Sequence, residues 1–207
     1  VCRLDFMAAD MSASSHYLDK VTMGDMSTMG WFLEWARPPQ YMRNAVYLNS
    51  GTERFMEMAH QCGLSSTDWT WSAKCADLDG DGRVDVFITN GMTRDWENAD
   101  LEAQAQQWGG CESPEGLKFW LDQPPNAERN LAFRNSGDLQ FESVGSHWGL
   151  DHLGVSFGAA MGDLDGDGDL DLVVNNYEEP AGIYRNDVST GHRIKIRLIG
   201  SASSKWG

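Results

Sequence analysis

The sequence predicts an all-β fold built from a repeated four-stranded unit, and three observations carry that expectation. The 207 residues include 22 Gly and 9 Trp with no dominant helix-forming composition, which favours short strands joined by tight turns. Residues 44–90 align with 130–176 without a gap, and 16 positions are identical: Asn44/Asn130, Asn49/Asn135, Ser50/Ser136, Gly51/Gly137, Phe55/Phe141, Gly63/Gly149, Leu64/Leu150, Ala73/Ala159, the six residues 77–82 against 163–168, Asp85/Asp171 and Asn90/Asn176. An apolar run of strand length follows each of two acidic loops, at 84–89 and 170–175.

Each copy reads as strands in order. Ala45-Val46-Tyr47-Leu48 and Leu131-Ala132-Phe133-Arg134 end at Asn-Ser-Gly, a turn in which Gly supplies a positive φ. Phe55-Met56-Glu57-Met58 and Phe141-Glu142-Ser143-Val144 resume after a hairpin-length gap, and Trp69-Thr70-Trp71 and Val155-Ser156-Phe157 alternate with period two. Four short strands per unit is the make-up of a β-propeller blade. The expected organisation is the end of a preceding blade plus an insertion over 1–43, a blade over 44–92, an inserted loop over 93–129 with one short helix at 98–107, a blade over 130–178, and the start of a further unit over 179–207. Within the first segment, residues 4–10 resemble the strand after a third acidic loop, and the Met-rich stretch beyond them is the insertion. Residues 183–186 read as a new strand, and 193–199 alternates basic and apolar residues like an exposed one. Val1-Cys2-Arg3 carries neither an initiator Met nor a signal-peptide pattern, so the chain reads as the interior of a longer protein.

Both acidic loops follow D-x-D-x-D-G-x-x-D: Asp77, Asp79, Asp81 and Asp85 in one, Asp163, Asp165, Asp167 and Asp171 in the other. Carboxylates at positions 1, 3 and 5 converge when the backbone curls, and Gly at position 6 permits the turn. A carbonyl at position 7 (Arg83, Asp169) and the carboxylate at 9 complete an oxygen shell suited to Ca²⁺, one ion per loop. Carboxylates this close repel one another, and a cation removes that cost. An EF-hand shares the opening residues but needs a Glu at position 12 between helices. Here position 12 is Ile88 or Val174, inside a strand-like run, so that reading is rejected.

The acidic loops in this setting resemble the FG-GAP or VCBS repeat of integrin-α-type β-propellers. Residues 40–44, 67–71, 90–95 and 170–176 sharpen the likeness toward bacterial repeat proteins that end in an ASPIC/UnbV domain, relatives of cartilage acidic protein, and 193–200 resembles that domain's opening strand. The resemblance implies a partial propeller stabilised by calcium, secreted, periplasmic or on the cell surface, that serves adhesion, ligand recognition or scaffolding. Protein or carbohydrate ligands, the remaining blades of a longer chain, or an assembly partner would engage it.

The charge balance, 31 acids to 16 bases and a net charge of −15, argues against nucleic acid or anionic membrane as partner and favours bound cations. No stretch approaches the length of a membrane span. Four Cys (Cys2, Cys62, Cys75, Cys111) form no C-x-x-C pair, which leaves disulfides and buried thiols as equal alternatives. Gly154-Val155-Ser156-Phe157-Gly158 matches the nucleophile elbow G-x-S-x-G, yet it leads into an acidic loop where the elbow needs a strand–turn–helix. The five His (His16, His60, His147, His152, His192) show no ligand spacing, and no phosphate-binding Gly loop is present. The Trp set (Trp31, Trp35, Trp69, Trp71, Trp96, Trp108, Trp120, Trp148) is expected mostly to pack between blades or under insertions, with a carbohydrate-stacking platform as the functional alternative. The expectation is therefore a binding module that is not an enzyme. A polysaccharide-active enzyme such as a lyase, or a structural subunit of a surface assembly, stands as its rival.

Overall fold

A computed structural model describes residues 4–23, 34–37 and 41–187, with 194 and 196. Cys2, Trp31, most of the Met-rich stretch and the strand expected at 193–199 lie outside the described residues, apart from Ile194 and Ile196.

The fold is mainly antiparallel β. The strands are β1 (Phe6–Ala8), β2 (Ala45–Asn49), β3 (Phe55–Glu57), β4 (Ser72–Ala76), β5 (Asp85–Thr89), β6 (Glu128–Arg129), β7 (Leu131–Gly137), β8 (Gln140–Ser143), β9 (Leu153–Gly154), β10 (Ser156–Gly162), β11 (Asp171–Asn176) and β12 (Gly182–Tyr184). They form three main sheets, β1-β2-β3, β4-β5-β7-β8 and β10-β11-β12, with a small β6-β9 pair beside them.

The sheets are out of phase with the sequence repeat. Segments 44–92 and 130–178, expected as whole blades, each give two strands to one sheet and two to the next. The reason lies in the strand after each acidic loop. All five residues of β5 are buried, so its backbone must be paired on both edges. On one edge β4 places Cys75 opposite Val86, and on the other β7 places Phe133 opposite Val86 and Ala132 opposite Phe87. The same crossover recurs twice, with Phe6 of β1 opposite Tyr47 and Leu172 of β11 opposite Tyr184.

Period-two alternation along β5 then builds two cores. Val86 and Ile88 face the first sheet and pack with its Met7 and Val46, with Cys62 and Leu64, and with Phe133 and Phe141 of their own sheet. Phe87 points the other way into Leu78, Ala132, Leu172 and Val174, with Trp148, Leu150 and Tyr184 around them. Burying each of these large side chains stabilises the fold by about 1.5–3 kcal/mol. One-turn helices, Ala59–Cys62 and Gly145–Trp148, close each core from the side and end at Gly63 (φ 80°) and Gly149 (φ 71°). Only a residue at ease with left-handed backbone completes that cap, which accounts for an identity in the repeat that strand patterning does not explain.

The insertion is closed at its base by reciprocal hydrogen bonds between Met92 and Asn126, both 2.9 Å. The expected helix is present as Ala99–Gln106, capped by the Asn98 side chain, and a second one, Pro114–Leu121, follows Ser113 as cap with Pro at its first position. Arg94 donates to the carbonyls of Trp120 (3.2 Å) and Leu121 (3.0 Å), which satisfies that helix's C-terminal end. Trp120 is fully buried there and Trp148 packs on the second core, but Trp35, Trp71, Trp96 and Trp108 are exposed, contrary to the expectation that most would be covered. Trp96 nonetheless packs on Trp120, and Trp71 on Phe157.

Glu128 pins the insertion's return to the sheet. Its Oε2 accepts from the Trp69 amide at 3.2 Å, and burial pushes its carboxyl up to about 7, with Asp68 and Asp95 adding repulsion. The folded protein therefore keeps a proton that the unfolded chain releases near 4.5, so stability falls as pH rises between about 4.5 and 7. Denaturant unfolding of Glu128→Gln at pH 5 and pH 8 is expected to show a gain over the parent on the order of 1–2 kcal/mol at pH 8, after allowance for solvent screening, and little at pH 5. An equal effect at both pH values would contradict this assignment.

Candidate metal centre

Each acidic loop connects two strands of a hairpin, β4 to β5 and β10 to β11, and its own carboxylates fold it. Asp77 accepts from the amides of Asp81 (Oδ1, 3.1 Å) and Gly82 (Oδ2, 2.9 Å), and Asp81 Oδ1 accepts from Arg83 at 2.9 Å. In the second loop Asp163 accepts from Gly166 (2.7 Å), Asp165 from Asp167 (3.2 Å) and Asp167 from Asp169 (3.1 Å). Short polar side chains that bond the backbone a few residues on favour such turns. Gly82 and Gly168, at position 6, take φ of 87° and 98°.

The position-9 aspartates do more than close the loop. Asp85 is fully buried; its Oδ2 accepts from the Leu78 amide at 2.9 Å and its Oδ1 from the Asn135 amide at 2.9 Å. Asp171 repeats both bonds, to Leu164 (2.8 Å) and Asn186 (2.8 Å), and Asp5 makes the second, to Asn49 (2.7 Å). The asparagine answers each time, since the side-chain amides of Asn135 and Asn186 donate to Val84 (3.2 Å) and Leu170 (3.3 Å). Asn186 also donates to the Leu78 carbonyl at 2.7 Å, which ties the third sheet to the first loop. Burial raises the Asp85 carboxyl above its usual range against the two amides, and Asp79 and Asp81 push it further.

Carboxylate oxygens of Asp77, Asp79 and Asp85 lie within 4.8 Å of one another, as do those of Asp163, Asp165 and Asp167. Oxygens held 2.3–2.6 Å from a common centre fall within this spread, and hard donors alone suit Ca²⁺. The first loop already attracts a positive group: Arg134 Nε lies 2.6 Å from Asp79 Oδ2, and a guanidinium nitrogen 3.3 Å from Asp81 Oδ2. Arg83 adds a contact of 3.7 Å to Asp81. The donor set therefore fits a cation, and a guanidinium stands in for one.

Of the expected ligands, then, three converge in each loop. Asp81 lies against the two arginines, Asp171, like Asp85, accepts from two backbone amides, and Arg83 and Asp169 occupy position 7, where the expected donor is the main-chain carbonyl. Sequence reasoning missed Arg134, Asn135 and Asn186. The Asn49/Asn135 identity signalled the asparagines; Arg134 has Leu48 as its counterpart in that alignment, and its signal was the recurrence of Arg134-Asn135 as Arg185-Asn186.

At the opposite ends of the strands a buried polar network replaces the nucleophile elbow. Ser156 is fully buried, its hydroxyl accepting from Asn130 Nδ2 (3.0 Å) and donating to Asn176 (2.9 Å). Asn44, Thr67, Thr70 and Asn90 form the matching set in the other copy. His152 is paired with Glu179 at 3.0 Å.

A protein-family model described as an FG-GAP-like repeat fits residues 35–88 and 119–174, more than half of the chain. Each matched stretch ends in the strand after an acidic loop. No curated protein matches the chain.

Because Asp85 satisfies two amides in a buried position, Asp85→Ala is expected to cost about 2–5 kcal/mol in unfolding free energy even with chelator present. Urea denaturation in EDTA measures it, and a cost below 1 kcal/mol would show that the clasp is dispensable.

Proposed function

The chain belongs to the FG-GAP-like repeat family, and from that premise we propose that it is a calcium-stabilised β-propeller module used for adhesion, ligand recognition or scaffolding outside the cytoplasm. The observation that carries the reading is the convergence of three carboxylates in each loop, with a guanidinium drawn onto the first set. When bound, calcium supplies a multidentate cross-link between loop oxygens. The chain's own residues do the rest: Asp85 and Asp171 hold each loop to the neighbouring strand, so stiffening a loop stiffens the strand pairing within its sheet. A weak site, with a dissociation constant on the order of 10⁻⁴ to 10⁻³ M, suits the calcium levels of an extracellular module.

Recognition is assigned to the face opposite the loops. There the insertion and the strand ends present Trp71, Trp96 and Trp108, all exposed, as contact surface for a protein or carbohydrate ligand. The likeness of 193–200 to the opening of an ASPIC/UnbV domain extends the proposal to that class of repeat protein and to a bacterial source. Among the described residues no helix is long and apolar enough to cross a membrane.

Thermal melting tests the metal reading. At 10 mM calcium each site is expected to add about 1.5–2.5 kcal/mol, a rise of several degrees in Tm. Asp79→Ala or Asp165→Ala should each remove roughly half of that gain, leaving the melting curve in chelator little changed beyond the effect of the substitution itself. Identical curves with calcium and with excess chelator would sink the reading.

A further inference from the structure

Arg134 sits where its position is fixed by its neighbours. Phe133 before it is buried opposite Val86, and the Asn135 amide after it is held by Asp85. Its guanidinium is thereby delivered to Asp79 and Asp81, two residues of the loop's ligand pattern, at 2.6 and 3.3 Å. Asp79 belongs to the converging trio of the first loop; Asp81, at position 5, does not, whereas the position-5 residue of the second loop, Asp167, does. In the second loop's setting the matching residue is Arg185, whose guanidinium lies 2.7 Å from Asp187.

We propose that Arg134 is an internal counter-cation of the loop 77–85, which a divalent cation must displace from Asp79 and Asp81 in order to bind. This deepens the calcium reading above and rests on it. A guanidinium and a metal ion share a preference for these carboxylates but not a common position, because two positive centres on one carboxylate repel. In the absence of calcium Arg134 offsets the repulsion among the loop's acids and keeps the loop folded. On binding it must release at least one of them, and Asp81 becomes free to rejoin the ligand set. A guanidinium keeps its charge at any pH of interest, so displacement moves the group without neutralising it. The opposite arrangement, in which Arg134 orients Asp79 from outside and assists the metal, predicts the opposite sign in the experiment below.

The test is a calcium titration by calorimetry on the whole chain carrying Asp165→Asn, which silences the second loop. Adding Arg134→Gln is expected to tighten calcium binding about 3- to 10-fold, the range set by two partly exposed ion pairs. Arg134→Lys, which keeps the charge, should stay near the parent, and Arg185→Gln should change nothing at this loop. In the parent chain, the ¹⁵N resonance of Arg134 Nε should shift with the same midpoint as the loop's amides, a readout that needs no substitution. Unchanged or weaker binding in Arg134→Gln, or an Nε resonance indifferent to calcium, overturns the proposal and leaves the metal reading standing. No calcium binding to either protein overturns both.

Discussion

The structure depends on a carboxylate buried between two backbone amides. Asp85 and Asp171 each accept one N–H from the second residue of their own loop and one from an asparagine in the next hairpin, and Asp5 makes the second of these bonds, to Asn49. A buried charge is tolerated only when its hydrogen-bonding capacity is used, and the two amides do so here. The clasp sets the register of β5 against β7 and of β11 against β12. Those pairings in turn decide which apolar residues face which core, because a slip of one residue would send Phe87 to the wrong side.

A second polar system works at the far ends of the same strands. The Asn90 amide donates to Asn130 Oδ1 at 3.1 Å, and Asn130 reaches Asn176 through the Ser156 hydroxyl. At the far ends side chains thus reach from one sheet to the next, while at the loop ends the aspartates clasp strands of one sheet and Asn186 reaches across to Leu78, with apolar contacts between. Satisfied networks of this kind specify one arrangement, since any other leaves buried donors unpaired. The acidic loops occupy one end and the insertion the other, which separates the proposed calcium sites from the proposed recognition face.

Much of this could be read in the sequence, and the failures have physical reasons. The loops, the strands beside them, the helix after Asn98 and the β-rich fold follow from local patterns, because ligand spacing, period-two alternation and a capping residue are local facts. The phase of the sheets is not local: β5 pairs with β4 beside it in the chain and also with β7 beyond the insertion, and the second pairing goes with its burial and with Asp85 reaching Asn135. The one-turn helices at Ala59 and Gly145 are too short to show a period, though Gly63 and Gly149 marked their ends. The pairing of Arg134 with Asp81, 53 positions away in sequence, is not a local fact, although the Arg-Asn pair at 134–135 recurs at 185–186. The exposure of Trp35, Trp71, Trp96 and Trp108 was likewise not legible, since burial is set by tertiary packing and not by residue type.

Amide hydrogen exchange in calcium-free buffer tests the central claim most directly. If the buried aspartates organise the sheets, the amides of Leu78, Asn135, Leu164 and Asn186 exchange only through global unfolding, as slowly as those in the middle of β5 and β11. Exchange at these four positions as fast as at the exposed turns of the loops would contradict the account, whatever the protein's affinity for calcium.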